Sequence, residues 1–540
     1  MGGSTGSRSS GFHTAVVSAA IAVSRVAGFV RERLFAHYLG NGIAAGAFRA
    51  ALRIPNLLQN LFGEGALSAS FIPVYARLLA EGREADARRL AYAIGTVLCL
   101  VLAILAGAGS LCAPWLVDLV APGFEGEAKA LAGALVRMLF PATAMLAASA
   151  WCLGVLNSHR RFLLSYLAPV LWNVPIIAAL WFFGGRRISG EASPEALASL
   201  AVDVAWAFVV GSLLQLLVQV PSTWRLLGGI RPCFEWRMPE FRKVITNFAP
   251  ALMTRGVSQV SAYIDQILAS FLGAAMVAAI GYAQTLLLLP VSLFGLAVAS
   301  AELPELSSVL GSTEERASRI RERVAVASRR LHFLVWPSVA AFFLLPRTTV
   351  STLFETGRFG PGNTEQVAWI LVAGSIALLP TTLSRLYAST FWAVGNVRFP
   401  ANVAIARVSF STVLGWIAVF PLRERMGWDV ADAAAALVAA SSVAACIEYL
   451  VLRSALRRHT GAWSVSVSFL ARVVAAVGGA VALAAGLREG LDRWVSMGPA
   501  PRGLLVLGAF GVAYAALSLL FAVPEATSLG AKIWRKLRRR

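Results

Sequence analysis

Of 540 residues, 58% are hydrophobic and only 14% are charged, and the mean hydropathy is +0.70; a soluble globular chain carries roughly 25% charged residues. Ordinary soluble enzymes and repeat scaffolds are thereby excluded, and the chain reads as a polytopic membrane protein with little left over for a soluble domain. The formal net charge of +20 would suggest nucleic acid in a soluble chain, but in a membrane chain Lys and Arg gather in cytoplasmic loops, so no nucleic-acid partner is expected.

In chain order, Met1–Ser10 is Gly/Ser-rich with one Arg, and no small-residue cleavage site follows the first apolar stretch, so residues 1–11 read as a cytoplasmic tail and not a signal peptide. Apolar runs follow at about 12–38, 43–75, 91–113, 131–156, 163–184, 199–221, 243–271, 276–305, 331–352, 366–392, 401–421, 431–452, 465–487 and 503–523, which predicts an all-α fold of about fourteen transmembrane helices. An even count puts both termini on one side. Lys and Arg favour the loops on that side by nearly three to one, so both termini are expected in the cytoplasm. The tail from 524 to 540 adds Lys532, Arg535, Lys536, Arg538, Arg539 and Arg540, a charge that also suits an anionic membrane surface.

The first two runs hold the most informative feature. Between Arg25 and Glu64 they carry Arg25, Arg31, Glu32, Arg33, Arg49, Arg53 and Glu64. Each charge at a bilayer centre costs about 2.5–3.5 kcal/mol on the insertion scale, so these residues should line a water-filled cavity or pair with one another. Arg33 and Arg49, near the outer turn, are expected to snorkel to the interface. Arg25 and Glu32 are seven residues apart and share a helix face, while Arg31 points elsewhere. Arg outnumbers Glu here, which favours an anionic ligand, and the planar guanidinium fork suits phosphate. A self-neutralising network that only ties helices together is the competing reading.

A faint repeat supports a duplicated bundle. Glu32, Ala36 and Leu39-Gly40 in the first run recur as Asp265, Ala269 and Leu272-Gly273 in the seventh at one constant offset. The divisions that follow are 12–222 (six helices), a basic linker at 223–242, 243–453 (six helices) and 465–523 (two further helices). Such duplications are usual in secondary transporters. No HExxH, GxSxG or P-loop motif occurs and the five His are isolated, so neither an enzyme nor a direct ATP-driven pump is expected. Cys99, Cys112, Cys152, Cys233 and Cys446 show no metal spacing and no disulfide framework.

Ser24-Arg25-Val26-Ala27-Gly28-Phe29-Val30-Arg31-Glu32, then Arg53-Ile54-Pro55-Asn56-Leu57-Leu58 and Gly63-Glu64-Gly65-Ala66-Leu67-Ser68-Ala69-Ser70-Phe71-Ile72-Pro73, closely resemble the MurJ/MviN family of lipid II flippases, whose pattern runs roughly SRVLGFxRD, K/R-x-PNLLR and AEGAFSQAFVP. Tyr282-Ala283-Gln284, Leu289-Pro290 and Glu302-Leu303-Pro304-Glu305-Leu306-Ser307 resemble its later motifs. The resemblance implies a transporter of the MOP superfamily: two six-helix lobes around a central cavity, two C-terminal helices forming a lipid-tail groove, and alternating access in the bacterial inner membrane. The implied cargo is lipid II, carried from the cytoplasmic to the periplasmic leaflet, with membrane lipid and the cell-wall synthesis machinery as further partners. Arg25, Arg31, Glu32, Arg53, Gln59 and Arg255 take the substrate-binding positions and Glu64 the gate. The resemblance implies no cofactor beyond sodium, with Asp265 and Asn396 as the ion positions.

Three residues depart from that pattern. Gln59 and Thr285 stand where the family carries arginines, and Asn396 stands where it carries an acid. Arg255, on the seventh helix, is the candidate to supply the missing cation. The alternatives are export of another cargo, such as a different lipid-linked oligosaccharide or a drug, and a transport-dead scaffold within a cell-wall assembly complex.

Overall fold

A computed structural model describes residues 23–60, 66–188, 192–295, 298–299, 302, 313–494 and 496–537. Among these, the elements are helices, apart from a single bridge between Thr356 and Phe359. α1 covers 23–39, followed by α2 (Ile43–Ala51), α3 (Arg53–Asn60), α4 (Ala66–Ala80), α5 (Glu84–Leu111), α6 (Ala113–Val120), α7 (Gly126–Ser158), α8 (Phe162–Arg187), α9 (Pro194–Leu227), α10 (Pro239–Ser270) and α11 (Ala274–Pro290). After a π turn at Val291–Gly295 come α12 (Thr313–Leu344), α13 (Pro346–Phe354), α14 (Pro361–Ser375), α15 (Leu378–Ala393), α16 (Arg398–Val419), α17 (Pro421–Met426), α18 (Val430–Thr460), α19 (Val467–Trp494), α20 (Pro499–Leu520) and α21 (Pro524–Leu537).

Local chemistry sets many of these boundaries. Ser193 accepts from the Ala196 N–H at 3.3 Å with Pro194 behind it, and Asp429 accepts from the Asp432 N–H at 2.8 Å, each satisfying a donor that the first helical turn leaves open. Gly228 takes a left-handed φ of 70° at the end of α9. The faint repeat has a backbone counterpart: Gly40 (φ 61°) closes α1 and Gly273 (φ 95°) follows α10, each eight residues after the matching acid.

Nine helices among the described residues are long and apolar enough to span a bilayer, or up to eleven if each of two bent helix pairs is one span. Among the described residues the expected count of about fourteen is not confirmed. Leu52 separates α2 from α3 within the second run, and α10 carries Glu240, Arg242, Lys243, Arg255 and Asp265 along its length. α12 and α13 form one bent pair at 90°, and α14 and α15 the other at 41°.

Contacts divide the chain into two compact units, 1–275 and 276–540. In the first, α8 packs on α9, α7 on α5 and α9, and α10 on α4. Its core gathers Phe71, Tyr75, Leu90, Trp151 and Val155, and Phe241 and Val244 of α10 join it. α10, which the sequence assigns to the second lobe, therefore packs in the first unit, and the division falls one helix beyond the 223–242 linker. In the second unit, α16 packs on α18 and α19 on α20, while Leu331, Tyr387, Phe391, Leu452 and Trp463 form the core. Outward faces stay apolar: Trp181, Trp206, Trp416, Leu483 and Leu504 are exposed, as lipid contact requires. All five cysteines are free thiols.

Candidate intramembrane anion site

The densest polar constellation in the first unit centres on Glu32. Its Oε1 accepts from Arg31 Nη2 at 3.0 Å and its Oε2 from Arg49 Nη2 at 2.9 Å, so one carboxylate bridges α1 and α2. The adjacent Arg31, expected to point elsewhere, bends back to its neighbour. Arg49, expected to snorkel outward, turns inward instead, because a partly buried carboxylate lies within reach. The arrangement sums to two cations and one anion.

Arg31 is held from α8 as well. Its Nη1 donates to Asn173 Oδ1 at 3.0 Å, and its guanidinium lies 4.8 Å from the centre of the Trp172 ring; such a cation–π contact is worth about 0.5–2 kcal/mol. Asn173 is fixed in turn by donating through Nδ2 to the Pro169 carbonyl at 2.8 Å. Pro169 and Pro175 both interrupt the hydrogen-bond ladder of this helix and so shape the segment that meets Arg31. The side chains of Arg31, Glu32 and Arg49 remain 23%, 17% and 16% exposed, enough for an incoming anion to reach them.

Trp172 is itself set by a close approach. It meets Phe208 edge-on at 4.8 Å, and a Cβ added to Gly211 of α9 would sit 2.4 Å from its carbonyl oxygen. Gly211→Ala is therefore expected to push α8 and α9 apart and lower stability by about 1–3 kcal/mol, as overpacking generally does; thermal unfolding of the purified protein in detergent checks this, and an unchanged midpoint would contradict it.

The other expected site residues fall as follows. Arg25 is exposed on α1. Arg53 clamps α3 to α10: its Nη2 donates to the Ala262 carbonyl at 2.5 Å, and its own carbonyl accepts from the Tyr263 hydroxyl at 2.6 Å. Asp265, one turn further on α10, stands in the field of the Arg53 guanidinium. Gln59 sits half-buried in the last turn of α3. Thr285 donates to the Gly281 carbonyl of its own helix at 2.9 Å. Asn396 accepts from the Phe399 N–H at 3.2 Å in the first turn of α16. Glu64, the expected gate, lies outside the described residues, and so does the side chain of Arg255. No group of three or more His, Cys, Asp or Glu that could hold a metal ion occurs among the described residues.

Sequence reasoning missed Arg49 as a partner of Glu32, and missed Trp172 and Asn173 altogether. Arg49 carried a signal, an arginine inside an apolar run, but its direction depended on how α2 packs. Trp172 and Asn173 carried none, since one aromatic and one amide in a membrane helix are unremarkable.

Chemically, the site can take a phosphate-like anion. Two guanidiniums already hold two oxygens of one carboxylate, and a diphosphate offers the same oxygen pairs with more charge.

Comparison with known proteins bears on what that anion is. A family model described as lipid II flippase MurJ matches residues 35–497. The chain is 32% identical over 489 residues to "Lipid II flippase MurJ" of Burkholderia cenocepacia, covering 89% of each chain. It is 30% identical to "Probable lipid II flippase MurJ" of Rhizobium meliloti, covering 94% of this chain and 92% of that one. The fold matches a solved structure titled "Lipid II flippase MurJ, inward closed conformation" with a TM-score of 0.74 at 20% identity, over 94% of this chain and 98% of that one. It also matches an inward-facing multidrug resistance MATE family transporter of the MOP superfamily, with a TM-score of 0.60 at 17% identity over 81% of this chain and 96% of the other.

Proposed function

The chain belongs to the lipid II flippase MurJ family, and on that premise we propose that it carries lipid II, the undecaprenyl-diphosphate-linked peptidoglycan precursor, from the cytoplasmic to the periplasmic leaflet by alternating access. The observation that carries this reading is the Glu32 carboxylate shared between Arg31 and Arg49. A drug exporter for apolar cargo has no use for such a cluster, whereas a diphosphate needs cations at the depth where its headgroup must cross. The protein is a transporter and not an enzyme, placed in the inner membrane with both termini in the cytoplasm, where it serves the cell-wall synthesis machinery.

The test is a flipping assay with labelled lipid II in proteoliposomes, beside complementation of a flippase-depleted strain. Time-dependent access of an external probe to lipid II, lost in Arg31→Ala, is the expected result. Growth support without flipping would replace this reading by the scaffold one, which the neutral residues at Gln59 and Thr285 favour.

Sodium has no part in this reading. Asn396 stands as a neutral amide where the related pattern carries an acid, so it brings no negative charge to a cation, and hard cations favour carboxylate oxygens. Replacing sodium by potassium in the assay should leave the flipping rate within about twofold, since a stronger dependence would need roughly 0.4 kcal/mol or more of linkage; a collapse of the rate without sodium would reverse this assignment.

A further inference from the structure

The second unit holds a charged cluster that the reading above does not use. Arg407 of α16 meets Glu448 of α18 with its Nε 3.1 Å from Oε2, at 21% and 17% exposure. Arg385 of α15, on a helix packed against α18, lies within electrostatic range of that carboxylate and of Arg407 without pairing directly with Glu448. Three neighbouring helices thus bring two cations and one anion together.

Depth makes the cluster unusual. Arg385 lies eight residues before the end of α15, Arg407 nine residues into α16, and Glu448 twelve residues before the end of α18. At 1.5 Å per residue these are about 12–18 Å from helix ends that share one side of the unit. The hydrocarbon core is about 30 Å thick, so the charges sit well inside it, beyond easy snorkelling to an interface. Intramembrane ionisable groups of this kind mark ligand or ion paths by default.

The composition argues against a simple helix tie. One arginine suffices to neutralise Glu448, yet a second is present and leaves a net positive charge. The Arg407 Nε lies 3.1 Å from the carboxylate yet makes no hydrogen bond with it, so the guanidinium is not locked to Glu448 and its planar fork can take two phosphate oxygens at once. The ratio of charges also repeats that of Arg31, Glu32 and Arg49 in the first unit.

We propose that Arg385 and Arg407 form a second intramembrane anion site, for a phosphate or diphosphate group, in which Glu448 is the exchangeable occupant. The same chemistry fits a lipid headgroup phosphate or a free diphosphate, and the experiment separates them. Equilibrium dialysis of the purified full-length protein against radiolabelled inorganic pyrophosphate measures binding stoichiometry. A parallel arm measures retention of phosphatidylglycerol against phosphatidylcholine in mixed vesicles. Two pyrophosphates per chain are expected. Arg31→Ala should remove one, and Arg385→Gln or Arg407→Gln the other. Retention of phosphatidylglycerol without pyrophosphate binding at this cluster assigns the occupant to a headgroup.

Glu448→Gln is the discriminating variant. It removes the competing carboxylate and should tighten binding at this site severalfold, whereas a structural ion pair would give only a less stable protein. Unchanged or weaker binding in a Glu448→Gln protein that retains its melting temperature overturns the proposal, as does a stoichiometry and lipid retention indifferent to Arg385 and Arg407. If Glu448→Gln fails to assemble, Arg385→Gln decides alone, because it leaves the Arg407–Glu448 pair in place; wild-type binding in both arms then refutes the site. Loss of the Arg31-dependent pyrophosphate alone would instead count against the first-unit site and leave this one standing.

Discussion

Arg49→Ala is expected to lower flipping by about ten- to a hundredfold while the protein still reaches the membrane. Arg49 gives Glu32 one of its two cations, and a hydrogen bond to a charged group is worth about 1.5–3 kcal/mol, which at 1.4 kcal/mol per tenfold spans that range. Two effects act together. The site's net charge falls from one positive to neutral, and Glu32, left with Arg31 alone, competes more strongly for the guanidinium that a diphosphate must win. Folding should survive, because α2 is held by the buried Ala44, Ala47 and Phe48 on its other positions. Arg49→Lys keeps the charge but loses the fork and should fall between alanine and wild type. Proteoliposome flipping at matched protein density is the measurement, with complementation as the cellular check. If Arg49→Ala flips at the wild-type rate, Arg49 is a tie between α1 and α2 and the anion site must be sought elsewhere.

Arg49 also shows where sequence reading stops. The all-helical class, the lipid-facing character and the position of most spans were legible, because an apolar run has only one way to satisfy its backbone in a bilayer. Breaks were less legible. The second run carries enough apolar residues for one long span, yet Leu52 separates α2 from α3, and the 90° bend between α12 and α13 falls at Leu345 before Pro346. Such bends come from packing and proline position together, which hydropathy averages away.

At the site, Arg31 and Glu32 were legible as charges that lipid will not tolerate, and the resemblance gave them a role. Their partners were not legible, since side-chain direction on a membrane helix follows from neighbours that lie far away in sequence. Asn173 lies 142 residues from Arg31, and Glu448 is 41 residues from Arg407. Arg53 illustrates the converse case. Its charge suggested substrate binding, and the structure adds a second role: one guanidinium N–H donates to the Ala262 carbonyl and the backbone carbonyl accepts from Tyr263, which joins α3 to α10.

Substitutions at Glu32 should separate binding from transport. The glutamate stands where the related family carries aspartate, and the extra methylene has a use here: one carboxylate spans Arg31 on its own helix and Arg49 on the next, at 3.0 and 2.9 Å. Glu32→Asp draws the carboxylate back by about 1.5 Å, one carbon–carbon bond, so it can keep Arg31 but not both partners. Its expected effect resembles that of Arg49→Ala in flipping, because the Arg49–Glu32 ion pair is lost. Glu32→Gln acts differently. The amide has one acceptor oxygen and presents donors to a guanidinium, so the cluster becomes doubly positive and binds a diphosphate more tightly. Release then requires breaking those contacts with no carboxylate to take the arginines back. Inorganic pyrophosphate should therefore bind Glu32→Gln several times more tightly than wild type, while lipid II flipping falls at least tenfold, about 1.4 kcal/mol on the slow step. A Glu32→Gln protein that flips normally, or that loses pyrophosphate affinity while remaining folded, would show that the carboxylate orders the arginines and does not trade places with the cargo.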